Sequence, residues 1–184
     1  MLRRVEQLNL AFNSLISIRA VHSLRHLTNL SLSHNALKSI SLAPLAELPA
    51  LAVLKLSHNQ LTTLAPLGRC VSLVELWVPH NRVNAVAELA ALQPVERLRR
   101  LVFSPNPLMR RVTAEDCRLT IHQLLPTLES LDGVTFTSAE TDAATVCKPP
   151  QKGGAGVGVG GGGGGGGGAL HFKSTSSCNE SAQR

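Results

Sequence analysis

Apolar residues in this chain recur in a nine-residue frame, apolar-x-x-apolar-x-apolar-x-x-Asn. The five copies are VEQLNLAFN (Val5 to Asn13), LTNLSLSHN (Leu27 to Asn35), LAVLKLSHN (Leu51 to Asn59), LVELWVPHN (Leu73 to Asn81) and LRRLVFSPN (Leu98 to Asn106). Successive frame Asn residues lie 22, 24, 22 and 25 positions apart. The spacers are apolar at intervals too, at Leu15, Ile18, Val21 and Leu24, then Leu37, Ile40, Leu45 and Leu48, then Leu61, Leu64, Leu67 and Cys70. Such a period marks a stacked repeat architecture, in which no single repeat can bury its own apolar face and its neighbours must. Strand geometry puts the fourth and sixth frame positions on one side and the third, fifth and seventh on the other. The pattern therefore predicts one short strand per repeat, about 4.8 Å from the next in a parallel sheet, with one face packed and one open. Each frame Asn sits where the chain leaves the strand, placed to bond backbone groups that the turn leaves unpaired.

After Asn106 the frame stops. Thr113 followed by Asp116 approximates a capping box ahead of a helix near residues 114–125, which Pro126 ends, and Leu128 with Leu131 forms a degenerate last strand. A solenoid must cover its last open core face, so residues 107–137 read as a C-terminal cap. The first frame starts close to Met1, which leaves the Val5–Leu10 strand as an uncapped edge open to pairing. From about Ser138 the composition shifts to Lys148-Pro149-Pro150 and a glycine run with nine consecutive residues, Gly160 to Gly168. Such a segment buries too little apolar surface to offset its ordering entropy. The expectation is a folded domain over 1–137 and a disordered glycine-rich tail over 138–184. The GxGxxG match at Gly156, Gly158 and Gly161 follows no strand and precedes no helix, so a nucleotide-binding reading is rejected.

Composition narrows the class. Of the 184 residues, 43% are hydrophobic but only 3% aromatic, so the core must be aliphatic, and the stacking platforms of single-stranded nucleic-acid binders are missing. A formal net charge of +6 favours acidic partners and says nothing about fold. Cys70, Cys117, Cys147 and Cys178 form no CxxC pair, so neither a disulfide framework nor a zinc module is suggested. The start lacks the apolar core of a secretory leader, and no stretch approaches the roughly 18 apolar residues of a spanning helix. A cytoplasmic chain with no membrane partner is expected.

No Walker loop, HExxH, GxSxG or suitably paired carboxylates are present, so the chain reads as a non-enzyme without a cofactor. His34, His58 and His80 share the eighth frame position, which stacks them about 5 Å apart. A metal would need a further ligand and closer approach, so a polar ladder at the solvent edge is expected. On the open face, Gln7, Asn9, Asn29 and Ser31 make a neutral N-terminal half. Val53, Lys55, Glu75, Trp77, Arg100 and Val102 gather an aromatic, apolar and charged group that reads as a protein-binding site. Arg97, Arg99, Arg110, Arg111 and Arg118, with Arg100, form a second candidate, a patch for acidic partners. Sequence-specific nucleic-acid binding is unsupported because no recognition element is visible.

These residues also carry a family resemblance. The 22-residue repeats followed by Asn106-Pro107-Leu108, Arg118 and LLPTLESLDG resemble the capped leucine-rich repeat class over about residues 2–137. That class implies an α/β fold: a right-handed solenoid of five repeats, with a parallel sheet on the concave face and a helical C-terminal cap. Arg69-Cys70, Asn81-Arg82, Ala87-Glu88-Leu89 and Arg97-Leu98-Arg99 are most similar to the cilia- and flagella-associated leucine-rich repeat proteins. This resemblance implies a non-enzymatic scaffold in cilium or basal-body assembly. Cys117 stands where such caps place Tyr before the Arg, and the glycine tail replaces the helical module of that family. Glu75-Leu76-Trp77 also resembles the phosphatase-contacting strand of the leucine-rich repeat regulator of protein phosphatase 1, whereas Asn9, Ser31 and Lys55 depart from its acidic row.

Overall fold

The computed structural model describes residues 4–110 and 113–146. Each frame forms its strand: β1 Gln7–Asn9, β2 Asn29–Ser31, β3 Val53–Lys55, β4 Glu75–Trp77 and β5 Arg100–Val102. They pair in parallel and in chain order. Two further strands, β6 Ser130–Leu131 and β7 Val134–Thr135, complete the sheet, the first parallel to β5 and the second turning back antiparallel. The degenerate strand expected at Leu128–Leu131 is β6. The chain returns from strand to strand through 3-10 turns at Arg19–Ser23, Ser39–Glu47 and Ala65–Arg69, and through a single-turn helix, α1, Ala87–Ala90.

The core is built from rows of equivalent frame positions. Leu30, Leu54, Leu76 and Leu101 form one buried row, and Leu32, Leu56, Val78 and Phe103 the next. Leu42, Leu45, Leu64, Leu67, Leu89 and Leu92 close it from the return side. Two returns approach so closely that Gly68 has no room for a side chain: a Cβ there would lie 2.3 Å from the Ala91 carbonyl oxygen.

The Asn ladder forms as the frame predicts. Asn59 Nδ2 donates to the carbonyls of Leu56 and of Leu32 in the preceding repeat, each at 3.0 Å, and Oδ1 accepts from Leu37 N–H. Asn35, Asn81 and Asn106 repeat this three-way bridge. Asn13 bonds only the local carbonyls of Leu10 and Ala11 and is exposed.

The cap contains a 3-10 turn, Pro107–Arg110, and helix α2, Ala114–Leu124, whose N-cap Thr113 accepts from Asp116 N–H as its sequence suggests. One expectation needs correction. The folded region continues past residue 137 into a third helix, α3, Ser138–Val146, packed on α2. Its start is a capping box: Thr137 Oγ1 accepts from Glu140 N–H, and Glu140 Oε2 accepts from Thr137 N–H at 2.8 Å. Thr137-Ser138-Ala139-Glu140 carried that signal in the sequence, but the shift toward a polar, glycine-rich composition downstream outweighed it. Ala144 is buried, and Glu140 reaches Arg118 on α2. The glycine run of the expected tail lies outside the described residues.

Candidate functional site

The open face of the sheet carries two rows set by strand register. Gln7, Asn29, Val53, Glu75 and Arg100 align in one, and Asn9, Ser31, Lys55, Trp77 and Val102 in the other. The six residues read from the sequence as a binding site therefore occupy three adjacent strands. All but the exposed Arg100 are half-buried.

They form one network. Glu75 Oε1 accepts from Trp77 Nε1 at 2.5 Å, and its Oε2 pairs with Arg100 at 3.2 Å. Lys55 Nζ lies 4.8 Å from the Trp77 ring centroid, a cation–π distance. The indole is thus held by its N–H and covered on one face by a cation, and it is not among the half-buried apolar side chains packed against the leucine core. This arrangement presents a fixed aromatic ring on an open face, with a cation on either side and one shared carboxylate.

A concave groove of about 540 Å³ continues from Val53, Lys55 and Glu75 toward Gln7, Asn9, Asn29 and Ser31. The sequence reading left these amide and hydroxyl side chains out of the site because they carry no charge or ring. Their frame positions, identical to those of Glu75 and Trp77, were the signal that could have included them.

Two members of the arginine patch are engaged within the fold. Arg118 is consumed by the cap: it pairs with Glu140, donates to the carbonyls of Val134 and Thr135, and lies 4.2 Å over the Phe136 ring. Arg99 donates to the Glu96 carbonyl and pairs with Glu129 at 3.5 Å. Arg97 and Arg110 are exposed, but they flank opposite ends of β5 along the chain. Arg111 lies outside the described residues. A planar guanidinium near carbonyls that lack a partner becomes a structural clamp, as at Arg118 and Arg99.

The histidine ladder is present and tighter than strand spacing alone implies. The His34 and His58 ring centroids are 4.1 Å apart and those of His58 and His80 4.0 Å, with the rings stacked nearly parallel. Phe12, in the same frame position, extends the stack at 4.2 Å and was missed in the sequence because only the histidines attracted attention. All four residues are left-handed, with φ between 54° and 56°. Among the described residues, no group of three or more His, Cys, Asp or Glu is arranged to hold a metal.

Two other groups belong to structure. Burial pushes the Cys70 thiol up to about 11, and burial together with Asp132 does the same for Cys117, so both are poor nucleophiles. His122, buried against Phe136 in the cap, is held below the ordinary histidine range by desolvation.

Comparisons with known proteins agree with this architecture. The leucine rich repeat family matches residues 3–61 and again 25–83. A search of curated proteins finds no match. Among solved structures, the chain is similar to internalin C2 of Listeria monocytogenes at 21% identity and a TM-score of 0.56, covering 69% of this chain. It is also similar to a chain of the Drosophila melanogaster SNF/U2A′ complex, at 19% identity and a TM-score of 0.63, covering 76% of this chain and 79% of that one. A Leptospira interrogans leucine-rich repeat protein aligns at 25% identity and a TM-score of 0.55, covering 71% of this chain and 37% of that one. The chain spans half the length of the internalin C2 structure.

Proposed function

On the premise that this chain is a leucine-rich repeat protein, we propose that it is a non-enzymatic adaptor binding a protein partner on its concave face. Leucine-rich repeat proteins generally mediate protein–protein interaction. The observation that carries the proposal is the Lys55–Trp77–Glu75–Arg100 network. A half-buried tryptophan, pinned by its N–H and outside the core, is the kind of rigid anchor that dominates interface energetics. The neutral groove beside it adds hydrogen-bonding side chains without a further charge.

The finer reading is a cytoplasmic scaffold at the cilium, flagellum or basal body. Its support is the likeness of the segments around Arg69-Cys70, Asn81-Arg82 and Arg97-Leu98-Arg99 to that family. A regulatory subunit of a Ser/Thr phosphatase is the second reading. The pairing of Glu75 with Trp77 on one strand favours it, because an acidic and an aromatic residue are presented together.

Affinity purification with mass spectrometry tests the site, comparing the natural chain with the double variant Glu75→Ala, Trp77→Ala. Loss of a specific set of proteins supports the concave site, and the identity of that set decides between axonemal components and a phosphatase catalytic subunit. Recovery of the same proteins by both baits places binding elsewhere and overturns the assignment.

A further inference from the structure

We propose that the His34–His58–His80 column is a second docking surface, separate from the Trp77 site, that takes a carboxylate-rich peptide segment of a partner and strengthens its hold as the pH falls through the histidine range. The argument begins with the backbone. A non-glycine residue with positive φ is uncommon, and for a bulky residue such as Phe12 it is an outlier. Here the same left-handed turn recurs in four successive repeats. Each of the four backbone N–H groups donates to the next repeat: Phe12 to Ser33, His34 to Ser57, His58 to Pro79 and His80 to Pro105. This turn aims the side chains into one column, where ring stacking offsets the local strain.

The column presents its ring edges outward. His58 and His80 are exposed and His34 is half-exposed. None of the three rings has a hydrogen-bond partner among the described residues, so their nitrogens are open to a ligand. Parallel rings about 4 Å apart set their nitrogens side by side, and as N–H donors these suit a row of hydrogen-bond acceptors better than one chelated metal.

The surrounding charge selects the ligand. Neither the two residues before each frame Asn nor the one after it is acidic in the first four repeats, and Arg82 follows the last rung. Lys55, on the strand that leads to His58, adds a further positive charge, and Glu75 is already engaged by Trp77 and Arg100. His58 is held below the ordinary histidine value first by desolvation and then by its neighbours His80 and His34, and no carboxylate opposes them. Stacked imidazolium rings therefore repel one another with no anion nearby. An acidic segment laid along the edges supplies that anion, and by linkage it raises the proton affinity of the rings it binds. Phe12, 78% exposed, closes one end of the column by stacking on His34.

The test uses the full chain and a fluorescein-labelled Glu-rich decapeptide, with a Gln decapeptide as control, in anisotropy titrations at constant ionic strength. Affinity for the Glu peptide should rise about tenfold between about pH 7.5 and about pH 5.5, and the Gln peptide should show no such rise. Asn tolerates the left-handed turn well, so the variant His34→Asn, His58→Asn, His80→Asn removes the rings while respecting the backbone. It should reduce the pH effect to less than about twofold. Should the triple variant unfold, His58→Asn alone replaces it and should cut the pH effect by more than half. Lys55→Gln should weaken binding at both pH values and leave their ratio unchanged, which separates the column from general attraction to a basic protein. A tenfold rise that survives removal of the rings, or an absent rise in the folded natural chain, overturns the proposal. Failure of the Trp77 site leaves this test unaffected, because Lys55 is the one residue named in both and the pH ratio read here is set by the three rings, which lie outside that site.

Discussion

The two ends of the solenoid receive the same repeat frame and treat it differently. In the first repeat Val5, Leu8 and Leu10 are only half-buried, Phe12 and Ile16 are 78% and 73% exposed, and Asn13 bonds only its own turn. At the other end the final row, Leu98, Leu101 and Phe103, is buried; β6 pairs with β5, β7 with β6, and α3 packs on α2. Equivalent side chains thus contribute according to how many neighbours they have, as expected of a quasi-one-dimensional protein. The sealed end obtains its second neighbour from non-repeating sequence, through polar clamps instead of leucine rows. Arg118 joins α2 to the hairpin carbonyls and to Glu140 on α3, and Asp132 Oδ1 accepts from Phe103 and Ser104 N–H where no further frame Asn is present.

The sharpest way to test this contrast is a matched pair of leucine deletions. Leu54→Ala should cost about 2–5 kcal/mol in urea unfolding, because a fully buried side chain leaves a cavity. Leu8→Ala, at the equivalent frame position in the first repeat, should cost less than half as much. Equal losses would show that the first repeat is as tightly held as the third.

Next in size, Arg118→Ala should destabilise by about 1.5–3 kcal/mol and strip hydrogen-exchange protection from α3 while sparing β2 to β4. The same clamp sets a pH response. Glu140 is lowered to about 2 from the ordinary 4.5, first by its bond to Arg118 and then by Thr137. A depressed carboxylate stabilises the fold fully above pH 4.5 and loses that contribution as the pH falls toward 2. His122, also depressed, adds an earlier loss that starts as the pH drops below its ordinary value of 6.5. Melting temperature against pH should therefore fall in two stages, and the lower stage should vanish in Glu140→Gln.

A smaller effect is expected in the ladder. Asn59→Ala should cost about 1–3 kcal/mol, since it orphans buried backbone groups, whereas Asn13→Ala at the exposed end should stay within about 0.5 kcal/mol. Trp77→Ala should shift the unfolding midpoint least, because the ring is not among the side chains packed against the core, while weakening partner binding by about 2 kcal/mol in titration calorimetry. A midpoint loss comparable to that of Leu54→Ala would make Trp77 a structural residue.

The repeat region was legible because its information is local and repeated. The frame positions of Leu54, Asn59 and Glu75 define strand, turn and open face without reference to anything distant, and the structure aligns them in the expected register. Legibility falls where single side chains serve distant backbone. Arg118 reads as surface charge until the hairpin carbonyls arrive beside it. The helix at Ser138–Val146 has a readable capping box, but its stability depends on a face of α2 that the chain alone does not display.

By itself, then, the sequence determined the period, the strand register, the Asn ladder and which residues share the concave face, because stacking identical units leaves one way to bury a repeated leucine pattern. The tertiary structure alone decided which charges remain available, by spending Arg99 and Arg118 on the cap carbonyls of Thr127 and Thr135 and leaving Lys55 and Arg100 beside Trp77. It also decided that a repeated left-handed turn would draw the histidine stack that the frame predicts to about 4 Å and extend it to Phe12. Those outcomes depend on distances between residues more than fifteen positions apart, and no local pattern fixes them.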